Sequence, residues 1–237
     1  MSYRKMRLIA LITFILTVLQ PAVNLPVLFQ VSQVLAQTPA AREAEADRLL
    51  QQGIEQYQTS QFTAALQSFQ EALTIYRQIK DRIGEGNSLG NLGIAYTALG
   101  EYTKAIEYHT SSLAIAREIK DRLGEGATLG NLGNAYNALG EYTKAIEYLS
   151  SSLAIAREIK DRRDEGQSLN NLGSAYNALG EYTKAIEYLT SSLAIAREVK
   201  DRRGEGQSLG NLANAYLLLG EYTKAIEYHT SSLAIAP

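Results

Sequence analysis

The stretch NLGNAYNALGEYTKAIEY, residues 131–148, decides the fold of this chain of 237 residues. The block returns with a period of 40 residues, beginning at Asn91, Asn131, Asn171 and Asn211. A period of about 20–50 residues is typical of arrays in which each repeat is one supersecondary unit that buries its apolar face against its neighbours. We therefore interpret the chain as a stack of similar units.

Within one unit, the apolar residues fall on two helical stripes. The first consists of Leu129, Leu132, Tyr136 and Leu139, and the second of Tyr142, Ala145, Ile146, Leu149, Leu153 and Ala156. Steps of three and four residues are typical of one face of an amphipathic helix. Gly140 predicts the end of the first helix, because glycine adopts the left-handed conformation without a side-chain clash. We expect an all-α fold, with a turn at DRLGEG, residues 121–126, joining successive units.

The units account for almost all of the chain after residue 36. A diverged first copy is visible in QQGIEQYQTSQFTAALQSFQEAL, residues 51–73, whose small and apolar residues fall in register with the later copies. The predicted organisation is a diverged unit at 37–82 and four regular units at 83–122, 123–162, 163–202 and 203–237. The last unit is short and has no further capping helix.

The motif resembles that of the tetratricopeptide repeat. The spacing Leu129-x2-Leu132-Gly133-x2-Tyr136, then Ala145-x3-Leu149, is similar to W-x2-L-G-x2-Y…A-x3-F, with leucine replacing the tryptophan and the last aromatic. The resemblance implies an all-α, right-handed superhelix of about five helix pairs, whose first helices line a concave groove. The long period resembles kinesin light chains and polarity adaptors with GoLoco motifs. We expect the extra residues in AREIKDR to lengthen the second helix and the inter-repeat loop.

The N-terminus has a different character. Arg4, Lys5 and Arg7 precede the uncharged run Leu8–Leu19, which is too short to span a bilayer comfortably. This order of charged and apolar regions is typical of a secretory signal peptide. We predict a signal peptide over residues 1–36, cleaved after Ala36, and export to the periplasm or beyond the cell. An uncleaved signal anchor that tethers the chain to the membrane is the alternative.

Composition argues against several classes of function. The formal net charge of −2 gives no electrostatic footprint for nucleic acid, and the absence of cysteine excludes thiolate catalysis and cysteine-based metal sites. The segment GEGNSLG from Gly84 lacks the spacing and the preceding strand of a phosphate loop. His109 and His229 occupy the position of Leu149 in a sister unit, so we expect packed side chains. We predict no enzymatic activity, no cofactor and no metal.

The candidate binding residues are asparagines opposite the leucine stripe of each first helix. An amide both donates and accepts hydrogen bonds, so it can hold a peptide main chain without reading its side chains. Related superhelical repeat proteins use an asparagine before the Leu-Gly pair in this way, which by resemblance implies Asn91, Asn131, Asn171 and Asn211. Positions that vary between units, where specificity would reside, add Asn134, Asn214, Asn137 and Asn177. The alternative is that these amides only solvate the surface or bridge helices.

We predict a scaffold that binds a peptide or a partner protein in the groove. Two alternatives stay open: an array that self-associates through its uncapped last unit, and the interaction or sensor part of a longer protein with a separate effector domain. Leu217 and Leu218 make the first helix of the last unit more apolar than the first helices of the other units. They are equally suited to packing against another unit or a terminal partner and to forming a side-chain pocket for a ligand.

Overall fold

The computed structural model describes residues 38–235, and within them the chain forms ten α-helices and no strand. The helices are α1 (Pro39–Gln58), α2 (Phe62–Ile79), α3 (Arg82–Ala98), α4 (Tyr102–Glu118), α5 (Arg122–Ala138), α6 (Tyr142–Glu158), α7 (Arg162–Leu179), α8 (Tyr182–Glu198), α9 (Arg202–Leu219) and α10 (Tyr222–Leu233). Odd-numbered helices are the first helices of the pairs, and even-numbered helices are the second. The predicted all-α array of about five helix pairs is confirmed.

The chain divides into two compact units, Met1–Glu45 and Ala46–Pro237. In the first, the described residues are the start of α1, where Thr38 Oγ1 accepts a hydrogen bond from the Ala41 N–H at 3.2 Å. The predicted signal peptide, its cleavage site and the alternative anchor lie outside the described residues. Between residues 38 and 235, no helix has the length and apolar character needed to cross a membrane.

The turn inside each pair follows the sequence prediction. Gly140 has a φ of +80°, and its N–H donates to the Asn137 carbonyl at 3.0 Å. The next N–H, of Glu141, donates to the Tyr136 carbonyl at 3.0 Å. These two bonds satisfy carbonyls that the end of α5 leaves unpaired, and glycine reaches this left-handed geometry without strain.

The predicted turn between units is wrong in its position and length. Asp121 caps α5, because its Oδ1 accepts the Gly124 N–H at 2.9 Å. A capping aspartate starts a helix, so Gly124 and Gly126 lie inside α5, and the connection after Glu118 is only three residues long. The expected lengthening of the inter-repeat loop is therefore also wrong.

The helical glycines permit close packing. A Cβ atom at Gly126 would stand 3.0 Å from Ile155 Cγ2, and one at Gly133 would stand 2.5 Å from Leu149 Cγ. Both contacts join α5 to α6, the two helices of one pair. Glycine at these positions lets the two backbones approach more closely than any side chain would allow.

The core continues from one pair into the next. Ala145, Leu149 and Leu153 of α6 form one buried cluster with Leu169, Leu172 and Ala175 of α7. Neighbouring pairs thus bury a continuous apolar core that no single pair has, which is the physical basis of repeat stacking.

In three of the units, an ion-pair network connects three successive helices. Glu125 of α5 accepts a hydrogen bond from Arg117 Nε of α4 at 2.8 Å and another from Arg122, which also pairs with Glu158 of α6. Burial raises the pKa of Glu125, but the bonds from Arg117 and then Arg122 outweigh it, so the pKa lies below its usual range. Equivalent networks are centred on Glu85 and Glu165.

The first helices lie on the inner side of the stack. Within the described part of the second unit, α3, α5, α7 and α9 contact one another in sequence, whereas no contacts join successive second helices from α2 to α10. A stack in which one set of helices is closer together must curve toward that set. The exposed side of α3, α5, α7 and α9, which we call the first-helix face, is therefore the concave one.

Candidate functional site

The four asparagines predicted to form the ladder occupy equivalent turns of α3, α5, α7 and α9. Their side chains are half-buried on the first-helix face, and each precedes a buried leucine by one residue. The side chains are Asn91, Asn131, Asn171 and Asn211. The structure places them in one row, and their use by a ligand stays a prediction.

Three of these amides keep hydrogen-bonding capacity for a ligand. The side-chain amide of Asn131 makes no hydrogen bond within the described residues. Asn91 donates from Nδ2 to the Asn87 carbonyl of its own helix at 2.9 Å, which leaves Oδ1 as an acceptor. Asn171 Oδ1 accepts from Gln167 Nε2 at 3.0 Å, which leaves its own two N–H donors.

The fourth amide bridges neighbouring helices. Asn211 Nδ2 of α9 donates to Asn170 Oδ1 of α7 at 3.1 Å, and Asn177 Nδ2 of α7 donates to the Asn211 carbonyl at 3.3 Å. At this step of the array, the alternative interpretation of asparagine as a helix bridge therefore applies. The bridge depends on Asn170. The other regular units have glycine at this position, at Gly90, Gly130 and Gly210.

The varying asparagines differ in exposure. Asn134 and Asn214 are exposed, whereas Asn137 and Asn177 are half-buried. Within the described residues, the Oδ1 atoms of Asn137 and Asn177 are buried and accept no hydrogen bond. A buried acceptor without a partner costs about 1–3 kcal/mol, which makes these two positions poorly adapted to packing alone.

A pocket of about 210 Å³ opens between α3 and α5 on the first-helix face. Its apolar wall includes Ile83, Ile94 and Ile119. Two of the ladder amides, Asn91 and Asn131, also line it. The pocket thus combines apolar surface with amides that retain hydrogen-bonding capacity.

A second cleft, of about 420 Å³, lies between α7 and α9 and is lined almost entirely by amides. It brings together three of the predicted asparagines with three amides that were not predicted from the sequence. The predicted residues are Asn171, Asn211 and Asn214, and the others are Gln167, Asn170 and Gln207. A four-residue step was the available signal, since Gln167 and Gln207 precede Asn171 and Asn211 by one helical turn. The uncharged lining is suited to a peptide main chain.

The two histidines differ in their surroundings. His109 is buried as expected, and burial lowers its pKa to about 4. The expectation of a packed His229 is wrong, because this side chain is exposed and lines the amide cleft. Two differences accompany this exposure: Ala213 replaces the glycine found at Gly93, Gly133 and Gly173, and no helix of the described residues follows α10. The sister residue Leu149 belongs to a buried cluster with α7 of the next pair, and Leu233 of α10 is 76% exposed where its sister Leu153 is 7% exposed.

A pair of stacked tyrosines with a nearby lysine recurs in the regular units. Tyr136 of α5 stacks on Tyr148 of α6 with ring centroids 5.3 Å apart, and Lys144 Nζ lies 5.4 Å from the Tyr136 centroid. The same three side chains recur in the other regular units. Their role in the described structure is to join the two helices of each pair.

No group of three or more His, Asp or Glu side chains is placed to hold a metal ion among residues 38–235. The carboxylates of the repeating networks, such as Glu125, are engaged by arginines. The described first-helix face therefore offers amides and apolar surface to a ligand, with the two exposed arginines Arg163 and Arg203 at one end.

Comparison with known proteins gives a family match across the repeats. A family model described as tetratricopeptide repeat matches residues 53–118, 84–158, 124–198 and 164–237. No curated protein sequence matches the chain at a significant level.

Solved structures show the same fold at low sequence identity. BtubC (BKLC) from P. vanneervenii is 20% identical with a TM-score of 0.73, covering 87% of this chain and 85% of that one. A putative kinesin light chain from Podosopora anserina, with nearly identical repeats, is 23% identical with a TM-score of 0.66, covering 84% of this chain and 96% of that one. A Rap protein complexed with competence and sporulation factor is 20% identical with a TM-score of 0.73, covering 81% of this chain and 54% of that one.

Proposed function

The chain belongs to the tetratricopeptide repeat family, whose arrays are protein-interaction scaffolds, and we propose that it holds an extended peptide segment of a partner protein on its first-helix face. The observation that carries this proposal is the row of half-buried amides on the concave side of the stack. Asn131 is the clearest member, since its amide has no hydrogen-bond partner within the described residues.

Main-chain binding by amides alone gives a modest affinity. Each hydrogen bond contributes about 0.5–1.5 kcal/mol net, so a few amides supply only part of the free energy of a micromolar complex. Side-chain contacts must supply the rest. The varying residues beside the row, Asn134, Asn137, Asn177 and Asn214, are candidates for such contacts, because they differ from unit to unit.

The proposal is tested by replacing both Asn131 and Asn171 with alanine. We expect recovery of the partner from an extract of exported proteins to fall at least tenfold, since two ladder amides are lost. Glu147→Ala, an exposed position on α6, is the matched control and should not change recovery. Unchanged recovery with the double variant contradicts the ladder.

The Rap neighbour supports this choice of function by analogy, since it was solved as a complex with competence and sporulation factor. The present chain spans about half the length of that protein, so only the fold is carried over.

We propose that the scaffold acts outside the cytoplasm, with the signal peptide removed after Ala36. The sequence of residues 1–36 supports this proposal. Mass spectrometry of the protein from cell fractions tests it: we expect a mature N-terminus at Gln37 in the periplasmic or external fraction. An intact N-terminus in the membrane fraction would support the tethered alternative.

Self-association is a second candidate, favoured by exposed apolar side chains on α9 and α10. Leu218 is 54% exposed, Tyr222 65% and Ile226 67%. Contiguous exposed apolar surface marks protein contacts in soluble proteins. Light scattering over a concentration series distinguishes this candidate from a monomeric scaffold.

A further inference from the structure

The pocket between α3 and α5 differs from its counterpart two repeats later. The counterpart, between α7 and α9, has a volume of about 10 Å³ at the equivalent place, compared with about 210 Å³. Several lining residues differ between the two, and at two positions the counterpart carries a much larger side chain. Gly90 and Ala127 line the open pocket, whereas Asn170 and Gln207 occupy the equivalent positions in the filled one.

The open pocket has the chemistry of a side-chain subsite. Ile83 is 63% exposed and Ile119 36% exposed, so apolar surface faces water in the empty pocket. The nearby Asp121 carboxylate is occupied as the cap of α5. An apolar side chain that covers the two isoleucines removes this surface from water, while Asn131 can bond the adjoining main chain.

At the other end of the first-helix face, two exposed arginines stand beside acidic residues, since Asp164 follows Arg163 and Asp201 lines the same cleft. Arg163 and Arg203 stand at the positions of Ile83 and Leu123, and neither forms an ion pair within the described residues. Arg163 lines the 10 Å³ counterpart pocket between α7 and α9, which is separate from the larger amide cleft between the same helices. An arginine beside amides favours a carboxylate, which it can bind through two parallel hydrogen bonds.

Combining these features, we propose that the peptide ligand inserts a branched or aromatic apolar side chain between α3 and α5 and presents an acidic side chain to Arg163. This inference rests on the proposed function and adds the ligand's sequence preference to it. Neighbouring packed helices lie about 8–10 Å apart, so two repeats span about 20 Å. An extended strand covers that distance in about six residues.

A peptide library with two fixed positions provides the test. The probes are fluorescent, N-acetylated dodecapeptides of alanine and serine that carry one apolar residue and one glutamate, separated by two to eight residues. We expect the full-length chain to select Leu, Ile or Phe with glutamate about six residues away. Replacing the apolar residue by serine should weaken binding about tenfold, the effect of burying one apolar side chain.

The protein variants copy residues from sister repeats, so each is already compatible with the fold. Ala127→Gln, which copies Gln167 and Gln207, should remove the apolar preference. Arg163→Leu, which copies Leu123, should remove the preference for glutamate. The control is Ser150→Thr on the exposed side of α6, which copies Thr190 of α8 and should bind like the wild type.

The outcomes separate the two proposals. The inference is overturned if the wild-type chain binds peptides without preferring an apolar residue or glutamate. It is also overturned if these preferences persist in Ala127→Gln and Arg163→Leu. Neither result contradicts peptide binding itself. If binding is lost in the variant Asn131→Ala with Asn171→Ala, the proposed function holds whichever side chains are preferred. If no peptide binds the wild-type chain, both are overturned.

Discussion

Gly133 of α5 lies so close to Leu149 of α6 that a Cβ atom at residue 133 would stand 2.5 Å from Leu149 Cγ. Both residues are buried, and Leu149 has no exposed surface. Leu149 also belongs to the buried cluster that α6 forms with α7. The glycine of its own pair and the first helix of the next pair therefore bury this side chain together.

Gly133→Ala should lower the free energy of unfolding by about 1–3 kcal/mol, the usual cost of overpacking a core. Urea denaturation measures the loss. Gly210→Ala is the control, because a Cβ atom there meets Ser232 Oγ at 3.6 Å, an ordinary contact. Its helix should gain about 0.5–1 kcal/mol from the better helix former. Equal losses in the two variants would contradict the steric explanation.

His109→Leu should stabilise the chain, since Leu149 and Leu189 fill the same position in sister units. His109 is 1% exposed, and its Nδ1 accepts no hydrogen bond within the described residues. Removing a buried acceptor without a partner should gain about 1 kcal/mol at pH 8. Thermal unfolding of the two proteins at that pH measures the gain.

The same variant should change the pH dependence of stability. Burial lowers the pKa of His109 from 6.5 to about 4, so the unfolded chain binds the proton more tightly. Wild-type stability therefore falls as the pH drops from 6.5 toward 4, by about 2 kcal/mol at pH 5. Carboxylates titrate in both proteins, so the difference between wild type and His109→Leu isolates this histidine. A constant difference between pH 8 and pH 5 would contradict a buried, neutral ring.

Glu125→Gln should cost about 1–3 kcal/mol of stability. The Glu125 side chain is only 11% exposed and receives hydrogen bonds from Arg117 and Arg122, so its loss leaves two guanidinium groups without their shared carboxylate. Glu141→Gln is the control, because the Glu141–Lys144 pair is exposed and such pairs contribute about 0–1 kcal/mol. Denaturant titration at low salt compares the two, and similar small effects would show that the network contributes little.

Much of the fold was predictable because the repeats restate the same signals. The steps from Leu132 to Tyr136 and the glycine at 140 predicted the first helix and its end. The cap formed by Asp121 was missed, since DRLGEG contains two glycines and reads as a turn until the packing of Gly126 on Ile155 is known. Close approach between helices is a tertiary property that no single helix pattern displays.

The site was predictable only in part. Asn131 and its equivalents were located because they share one helix face. Gln207 was missed because the equivalent position in the third unit is Ala127, so the amide does not recur in every regular unit. The bridge from Asn211 to Asn170 joins residues 41 positions apart, and only the stacking of α7 beside α9 makes it possible. Asn170 and Gln207 also line the 10 Å³ counterpart of the pocket between α3 and α5, and this too could be seen only in the structure.

The exposed leucines of α9 provide a test of self-association. Leu217→Asn with Leu218→Ala copies Asn177 and Ala178 of α7, so the change preserves a sequence that the fold already accepts. If the apolar surface at Leu217, Leu218 and Ile226 joins two copies, the wild-type chain should sediment as a dimer or larger species at high micromolar concentration. The double variant should then shift toward monomer, since two side chains that are 47% and 54% exposed lose their apolar contact. Sedimentation velocity measures both proteins, and Ser150→Thr on α6 is again the matched control. Wild-type protein that stays monomeric at every concentration would exclude self-association through these side chains.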